Sequence, residues 1–177
     1  IKNNKKKIKP KVIKSNLSPF KTLDTFFYKN KIFISYANNK ENCYNFNIDY
    51  AEFNNNELNF TNFYRSSECS MQDYHQIHGG RMQFYVNNQE EGLLFTVGHN
   101  NDNPKSDNSI IGKILFIDFK NQNTIIFSKG HRNSQGLLTE GEMILSTEHG
   151  PRGGDEINNI VFNNNYGWPS VSYGEPY

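Results

Sequence analysis

The sequence predicts an all-β fold of the propeller type. Strand-like runs recur along the chain, and helical periodicity is nearly absent. Gly, Asn, Asp and Pro cluster between the runs. One order of four strands begins to repeat. Nothing reads as a helix of three turns.

The runs come in order. Residues 31–37 (KIFISYA) are β-branched and aromatic. Residues 43–53 alternate, with Tyr44, Phe46, Ile48 and Tyr50 on one face. Residues 58–64 read as one strand, with Leu58, Phe60, Asn62 and Tyr64 on one face and Phe63 opposite. Further runs cover 80–86, 93–97, 113–119, 124–127, 137–138, 143–146 and 156–162. Turn signals fill 87–88, 99–108, 121–123 and 150–154.

HGGRMQFY, GLLFTVG, a loop, GKILFIDF and TIIFSKG form one four-strand set. SQGLLTE, EMILSTEHG, a loop and DEINNIVF begin a second set in the same order. Gly80 and Gly136 stand 56 positions apart, slightly above the roughly 40–50 residues of common propeller repeats. The long polar loops of such blades collect on one face. We therefore expect one partial propeller domain over 1–177 with about three blades, at four strands per blade. A basic N-terminal segment covers 1–30, a blade portion 31–66, a blade 78–128 and an incomplete blade 135–177. Residues 80–86 and 136–138 are expected innermost. A β-sandwich is the structural alternative.

Composition limits the function classes. Hydrophobic residues make up 35% and mean hydropathy is −0.78, values that alone would suggest disorder. The aromatic share of 14% argues for a packed core instead. Net charge is +1, so no global field favours nucleic acid or membrane. The basic run through Lys2, Lys5, Lys6, Lys7, Lys9, Lys11 and Lys14 reads as a solvated tail or edge. No apolar run reaches the length of a transmembrane segment, and the first residue is Ile. The chain is expected to be a mature product, a trimmed one or a fragment. Cys43 and Cys69 match no zinc spacing. Whether they pair is open.

Three short stretches carry the chemistry: Gly130-His131-Arg132-Asn133-Ser134-Gln135-Gly136, then 148–158 (EHGPRGGDEIN), then Asn165-Tyr166-Gly167-Trp168-Pro169. Glycine lets backbone approach a ligand closely. Arg132 offers a planar fork for a carboxylate or quinone oxygen. Carbonyls around Gly150 and Pro151 suit a hard cation. Each stretch alone would pass for a surface turn or a core plug. Together, in order, they do not.

These stretches resemble the glucose/sorbosone-dehydrogenase-like family, especially its aldose sugar dehydrogenase branch. That branch carries GHRNPQG, EHGPRGGDEIN and NYGWP. His78-Gly79-Gly80-Arg81-Met82 is similar to the family's H-x-G-R-L. Gly98-His99-Asn100-Asn101 followed by Gly112-Lys113-Ile114-Leu115 is similar to its G-[DE]-x-x … G-K-[IVL]-L. The likeness covers about 75–177 and, more loosely, 30–65.

The resemblance implies a six-bladed propeller that oxidises an aldose at its anomeric hydroxyl by hydride transfer to pyrroloquinoline quinone, with calcium. It implies His78 as general base, and Arg132, Asn133 and Asn100 as cofactor contacts. Gly150 and Pro151 would be carbonyl ligands of the metal. The implied partners are a sugar substrate and an external electron acceptor, without nucleic acid. It implies a periplasmic or secreted location, and the open edges of a partial ring admit a homodimer. His99 replaces the family's acidic residue, and Ser134 replaces a proline. A propeller binding module that keeps the cofactor loops without redox chemistry is the second reading, and His99 favours it. No G-x-G-x-x-G opens a helix and no G-x-S-x-G occurs, so nicotinamide and serine-hydrolase chemistry are not expected.

Overall fold

Strands that bury both faces read as continuous apolar runs, and two such strands organise this molecule. The computed structural model describes residues 11–41, 43–53, 57–70, 79–98 and 106–175. Its strands are β1 Lys14–Ser15, β2 Lys21–Tyr28, β3 Lys31–Lys40, β4 Cys43–Glu52, β5 Glu57–Leu58, β6 Thr61–Ser70 and β7 Gly79–Asn87. They continue with β8 Glu90–Val97, β9 Lys113–Asp118, β10 Thr124–Lys129, β11 Ser134–Glu140, β12 Met143–Glu148 and β13 Glu156–Asn159. No helix occurs among the described residues.

The strands form three antiparallel sheets in chain order. The first is β2-β3-β4-β6, the second β7-β8-β9-β10 and the third β11-β12-β13. A short parallel pair, β1-β5, stands apart. The first strand of each sheet is innermost, and β7 packs against both β2 and β11. This is a β-propeller with three blades among the described residues.

Period-two alternation explains how the blades stack. On β8, Leu93, Phe95 and Val97 face the first blade, packing with Phe33, Phe46, Ile48 and Phe63. Leu94, between them, faces the third blade and meets Ile144 and Ile160. On β9, Leu115 and Ile117 point one way, and Ile114 and Phe116 the other. The second blade thus contributes to two cores, one on each side. Burying one such side chain stabilises by roughly 1.5–3 kcal/mol, so these runs dominate the fold's stability.

Two readings of the sequence change. The first blade reaches back to Lys21–Tyr28, inside the stretch 1–30 read as a basic N-terminal segment ahead of the blade. Polar residues on that inner strand have partners: Asp24 accepts from the Met82 N–H at 3.0 Å. The run 58–64 is not one strand. The chain breaks after β5, and the Asn16 side chain takes the place of a sheet neighbour. Its Oδ1 accepts from the Phe60 N–H at 2.8 Å, and its Nδ2 donates to the Phe60 carbonyl at 3.2 Å. Cys43 and Cys69 form a disulfide that ties β4 to β6, with their Cα atoms 5.5 Å apart.

Radial order comes from hydrogen bonds. Arg81, on inner strand β7, reaches both neighbouring blades. Its Nη1 lies 3.1 Å from Asp24 Oδ1 on β2, and its Nε donates to the Gln135 carbonyl on β11 at 2.5 Å. Ser35 Oγ donates to the Gly80 carbonyl at 2.5 Å, and Thr96 Oγ1 to the Ser134 carbonyl at 3.1 Å. Arg81→Met keeps the aliphatic stem but leaves Asp24 without its cation. We expect a loss of about 2–3 kcal/mol in denaturant unfolding of the full chain. A loss below about 0.5 kcal/mol would show that apolar stacking alone sets the radial order.

Candidate functional site

The candidate site is built at one end of the third blade, from three connecting segments. Residues 130–133 join β10 to β11, residues 149–155 join β12 to β13, and residues 165–169 follow β13. The last segment runs beside the end of β10. The Lys129 N–H donates to the Asn164 carbonyl at 3.0 Å, the Tyr166 N–H to the Lys129 carbonyl at 2.9 Å, and the Trp168 N–H to the Gly130 carbonyl at 3.1 Å. This contact explains the first motif glycine. Gly130 has φ +77°, and a Cβ there would strike the Asn165 side chain and the Gly167 nitrogen.

Glu148, at the end of β12, is the hub. It is buried, and three donors converge on its carboxylate. His131 Nδ1 lies 3.0 Å away, Ser134 Oγ donates at 3.1 Å, and the Arg132 N–H donates to Oε1. Burial alone would raise this carboxyl's pKa. The hydrogen bond and charge of His131, then the Arg132 N–H and Ser134, outweigh it and hold the carboxyl below the usual glutamate range. His131 Nε2 is 2.8 Å from Ser128 Oγ. A ring carrying its proton on Nδ1 donates to Glu148 and sets its other nitrogen against the Ser128 hydroxyl. The ring also stacks on Tyr166, with centroids 4.9 Å apart.

This hub fixes the main chain of Arg132. The side chain then turns toward the second loop. Its Nη1 donates to the His149 carbonyl at 2.8 Å, and its guanidinium lies over the Trp168 ring at 5.3 Å. The loop after His149 is tied by Asp155. One carboxylate oxygen accepts from the Gly150 N–H at 3.0 Å, and the other lies 3.2 Å from His149 Nδ1. The Gly150 N–H, then His149, lower the Asp155 pKa. A Cβ on Gly150 would collide with the carbonyl oxygens of Gly153 and Gly154. Main-chain oxygens therefore crowd this turn.

Arg132, Glu148, Gly150, Pro151 and Trp168 line one cavity of about 10 Å³. That is room for a single water-sized or ion-sized occupant. Of the residues expected from the sequence, Arg132, Gly150 and Pro151 are brought together here. Asn133 sits beside them with both of its oxygens engaged. Its carbonyl accepts from the His149 N–H at 3.0 Å, and its Oδ1 from Gln135 Nε2 at 2.6 Å. His78 and Asn100 lie outside the described residues, as does His99. Glu148, His131 and Tyr166 lie within the three stretches that stood out in the sequence but were given no role there. Glu148 carried one further signal, a carboxylate ending an apolar strand directly before the glycine-rich loop.

Comparison with known proteins now bears on this geometry. The family model described as Glucose / Sorbosone dehydrogenase matches residues 20–177. The chain belongs to the glucose/sorbosone dehydrogenase family. The aldose sugar dehydrogenase YliI of Escherichia coli K12 is 34% identical over 117 residues, 56% of this chain and 30% of that protein. Quinoprotein glucose dehydrogenase B of Acinetobacter calcoaceticus is 52% identical over 48 residues, 27% of this chain and 10% of that protein. A solved glucose dehydrogenase superposes with a TM-score of 0.67 at 27% identity, covering 84% of this chain and 48% of that one. The PQQ-bound aldose sugar dehydrogenase of Streptomyces coelicolor gives 0.63 at 21% identity, over 81% of this chain and 45% of that one, and bears on the fold alone. The chain spans about half the length of these solved structures. Its matches cover 30% or less of the curated relatives.

Within this member of the glucose/sorbosone dehydrogenase family, Glu148→Gln tests the hub. An amide has one acceptor oxygen where the carboxylate uses two, so a buried donor is stranded. We expect a loss of about 2–3 kcal/mol in denaturant unfolding, with the amide signals of Arg132 and Ser134 moving most in NMR spectra. Unchanged stability would mean that the three contacts do not hold the turn.

Proposed function

We propose that the whole protein oxidises an aldose at its anomeric hydroxyl, with pyrroloquinoline quinone and calcium as cofactors, in a periplasmic or secreted location. One observation carries this reading. Arg132, Gly150 and Pro151 share a single ion-sized cavity in a chain whose family is that of the glucose and sorbosone dehydrogenases.

The residues fit the proposed groups in kind. No cluster of three or more His, Cys, Asp or Glu is arranged for a metal among the described residues. A cation here would be held by oxygen, through the Gly150 and Pro151 carbonyls, as calcium prefers. The cavity is too small for a fused-ring quinone, so that group would lie outside it, against the loop face. When bound, the quinone supplies the hydride acceptor and the cation polarises it.

The chain's own residues then have distinct tasks. Arg132 would hold a carboxylate or quinone oxygen, its guanidinium already aimed by Trp168 and the His149 carbonyl. Asn133 and Asn100 would add hydrogen bonds to the cofactor. His78 would take the anomeric hydroxyl proton on a ring nitrogen as the hydride leaves the same carbon. His99 stands where relatives of this type carry an acid. That observation favours the second reading, a binding module without redox chemistry.

Kinetics and equilibrium binding on the full-length protein separate these roles. His78→Ala is expected to lower kcat by roughly 10²–10⁴-fold while quinone affinity stays within about twofold. Arg132→Ala is expected to weaken quinone binding roughly tenfold or more. Full-length protein that binds no quinone with calcium present would leave the binding-module reading standing.

A further inference from the structure

A second pocket, of about 300 Å³, lies next to the candidate site and shares Trp168 and Val171 with it. Its charged lining is Asp107, Lys113 and Lys129. Lys113 opens β9, and Lys129 closes β10.

Two buried donor groups on this pocket are incompletely matched. Lys113 is 4% exposed. An ammonium has three N–H groups, yet its hydrogen bond is a single 3.3 Å contact to the Ile111 carbonyl. Among the described residues no carboxylate lies within ion-pair distance of it. Asp107 and Glu68 act on it only from a distance; Asp107 pairs with Lys129, and Glu68 accepts from Ser109 Oγ at 2.8 Å and from the Ile110 N–H at 2.9 Å. The Trp168 indole Nε1 is also buried without a partner. Lys129, by contrast, is paired with Asp107 at 2.8 Å.

Buried charges are ordinarily paired, and buried N–H groups ordinarily find acceptors. An unmet indole N–H and an ammonium with one long hydrogen bond, on one pocket, leave a place for one further acceptor. The Lys129–Asp107 pair cancels, so the lining carries one net positive charge. A water could accept from both donors but would leave that charge uncompensated. Burial pushes the Lys113 ammonium below its usual pKa, against the opposing pull of the Asp107 and Glu68 charges.

We propose that this pocket binds a small oxyanion, a phosphate or a carboxylate group, through the Lys113 ammonium and the Trp168 indole N–H, with Lys129 alongside. The volume leaves room for an organic body attached to that group. The site does not depend on the redox reading, since its ligand would bind without quinone or calcium.

Trp168 is the single tryptophan of the chain, so intrinsic fluorescence reports on this pocket. The full chain, free of quinone and calcium, is titrated with inorganic phosphate and separately with gluconate, at ionic strength held constant with chloride. A saturable change in at least one arm is expected, and the tighter arm identifies the source of the oxyanion. Lys113→Met should weaken that binding roughly ten- to hundred-fold. Asp107, 79% exposed, supplies a control that does not threaten folding. Asp107→Asn should tighten binding roughly two- to fivefold, by removing a competing carboxylate from Lys129. If Lys113→Met fails to fold, the Asp107→Asn shift decides. Titrations that never saturate, or affinities that Asp107→Asn leaves unchanged, overturn the proposal.

Discussion

Everything at the loop face depends on the blades keeping one radial position, and Arg81 is the group that enforces it. Apolar burial between blades is strong but non-directional. It requires that Leu93, Phe95 and Val97 meet the first blade, and Leu94 the third. It does not decide how far each blade slides along its neighbour. A guanidinium held by Asp24 on one side and the Gln135 carbonyl on the other does decide it. The residue that follows the double glycine of β7 thus couples three sheets through two fixed directions. Because Gln135 lies three residues beyond Arg132, the same contact also registers the turn that presents the site arginine.

A second polar centre works at shorter range. Glu148 is buried, and burial opposes its charge. Three donors reverse that balance, so the carboxylate stays ionised and the turn from His131 to Ser134 is wrapped around it. The consequence reaches the surface. With the Arg132 main chain fixed from below, its side chain has few places to go, and the Trp168 ring and the His149 carbonyl define one of them. A site of this kind is pre-organised by a group that would touch no ligand.

Much of this was legible because it is written locally. Continuous apolar runs flanked by turn residues gave the strands of the second blade. The repeat of strand order gave the propeller. Gly150 and Pro151 stood out because their motif is unbroken, and Arg132 because its motif differs only at Ser134. Contacts that depend on register were not legible. Cys43 and Cys69 pair because β4 and β6 are neighbours with Asn45 opposite Cys69, and their spacing of 26 residues does not reveal that. The partners of Glu148 lie 14 to 17 positions before it, a separation with no periodic signature. Lys21–Tyr28 was missed for a different reason. Its alternation is diluted by polar residues whose partners sit on other strands.

The two polar regions at this end of the molecule differ in one physical respect, and that difference separates scaffold from ligand site. At Glu148 itself the accounting closes, since its carboxylate, the His131 imidazole and the Ser128 and Ser134 hydroxyls have partners. Such a network rigidifies and has no need of anything from solvent. Around Lys113 and the Trp168 indole it stays open, although both donors are buried. A fold that encloses a cation beside a 300 Å³ space without supplying a direct counter-charge bears a desolvation cost that packing does not offset. Trp168 belongs to both regions. One face of its ring supports Arg132, while its N–H is unmet. An anion drawn to that N–H would therefore bear on the arginine through the indole. That contact offers a direct physical route by which occupancy of the pocket could reach the candidate cofactor site.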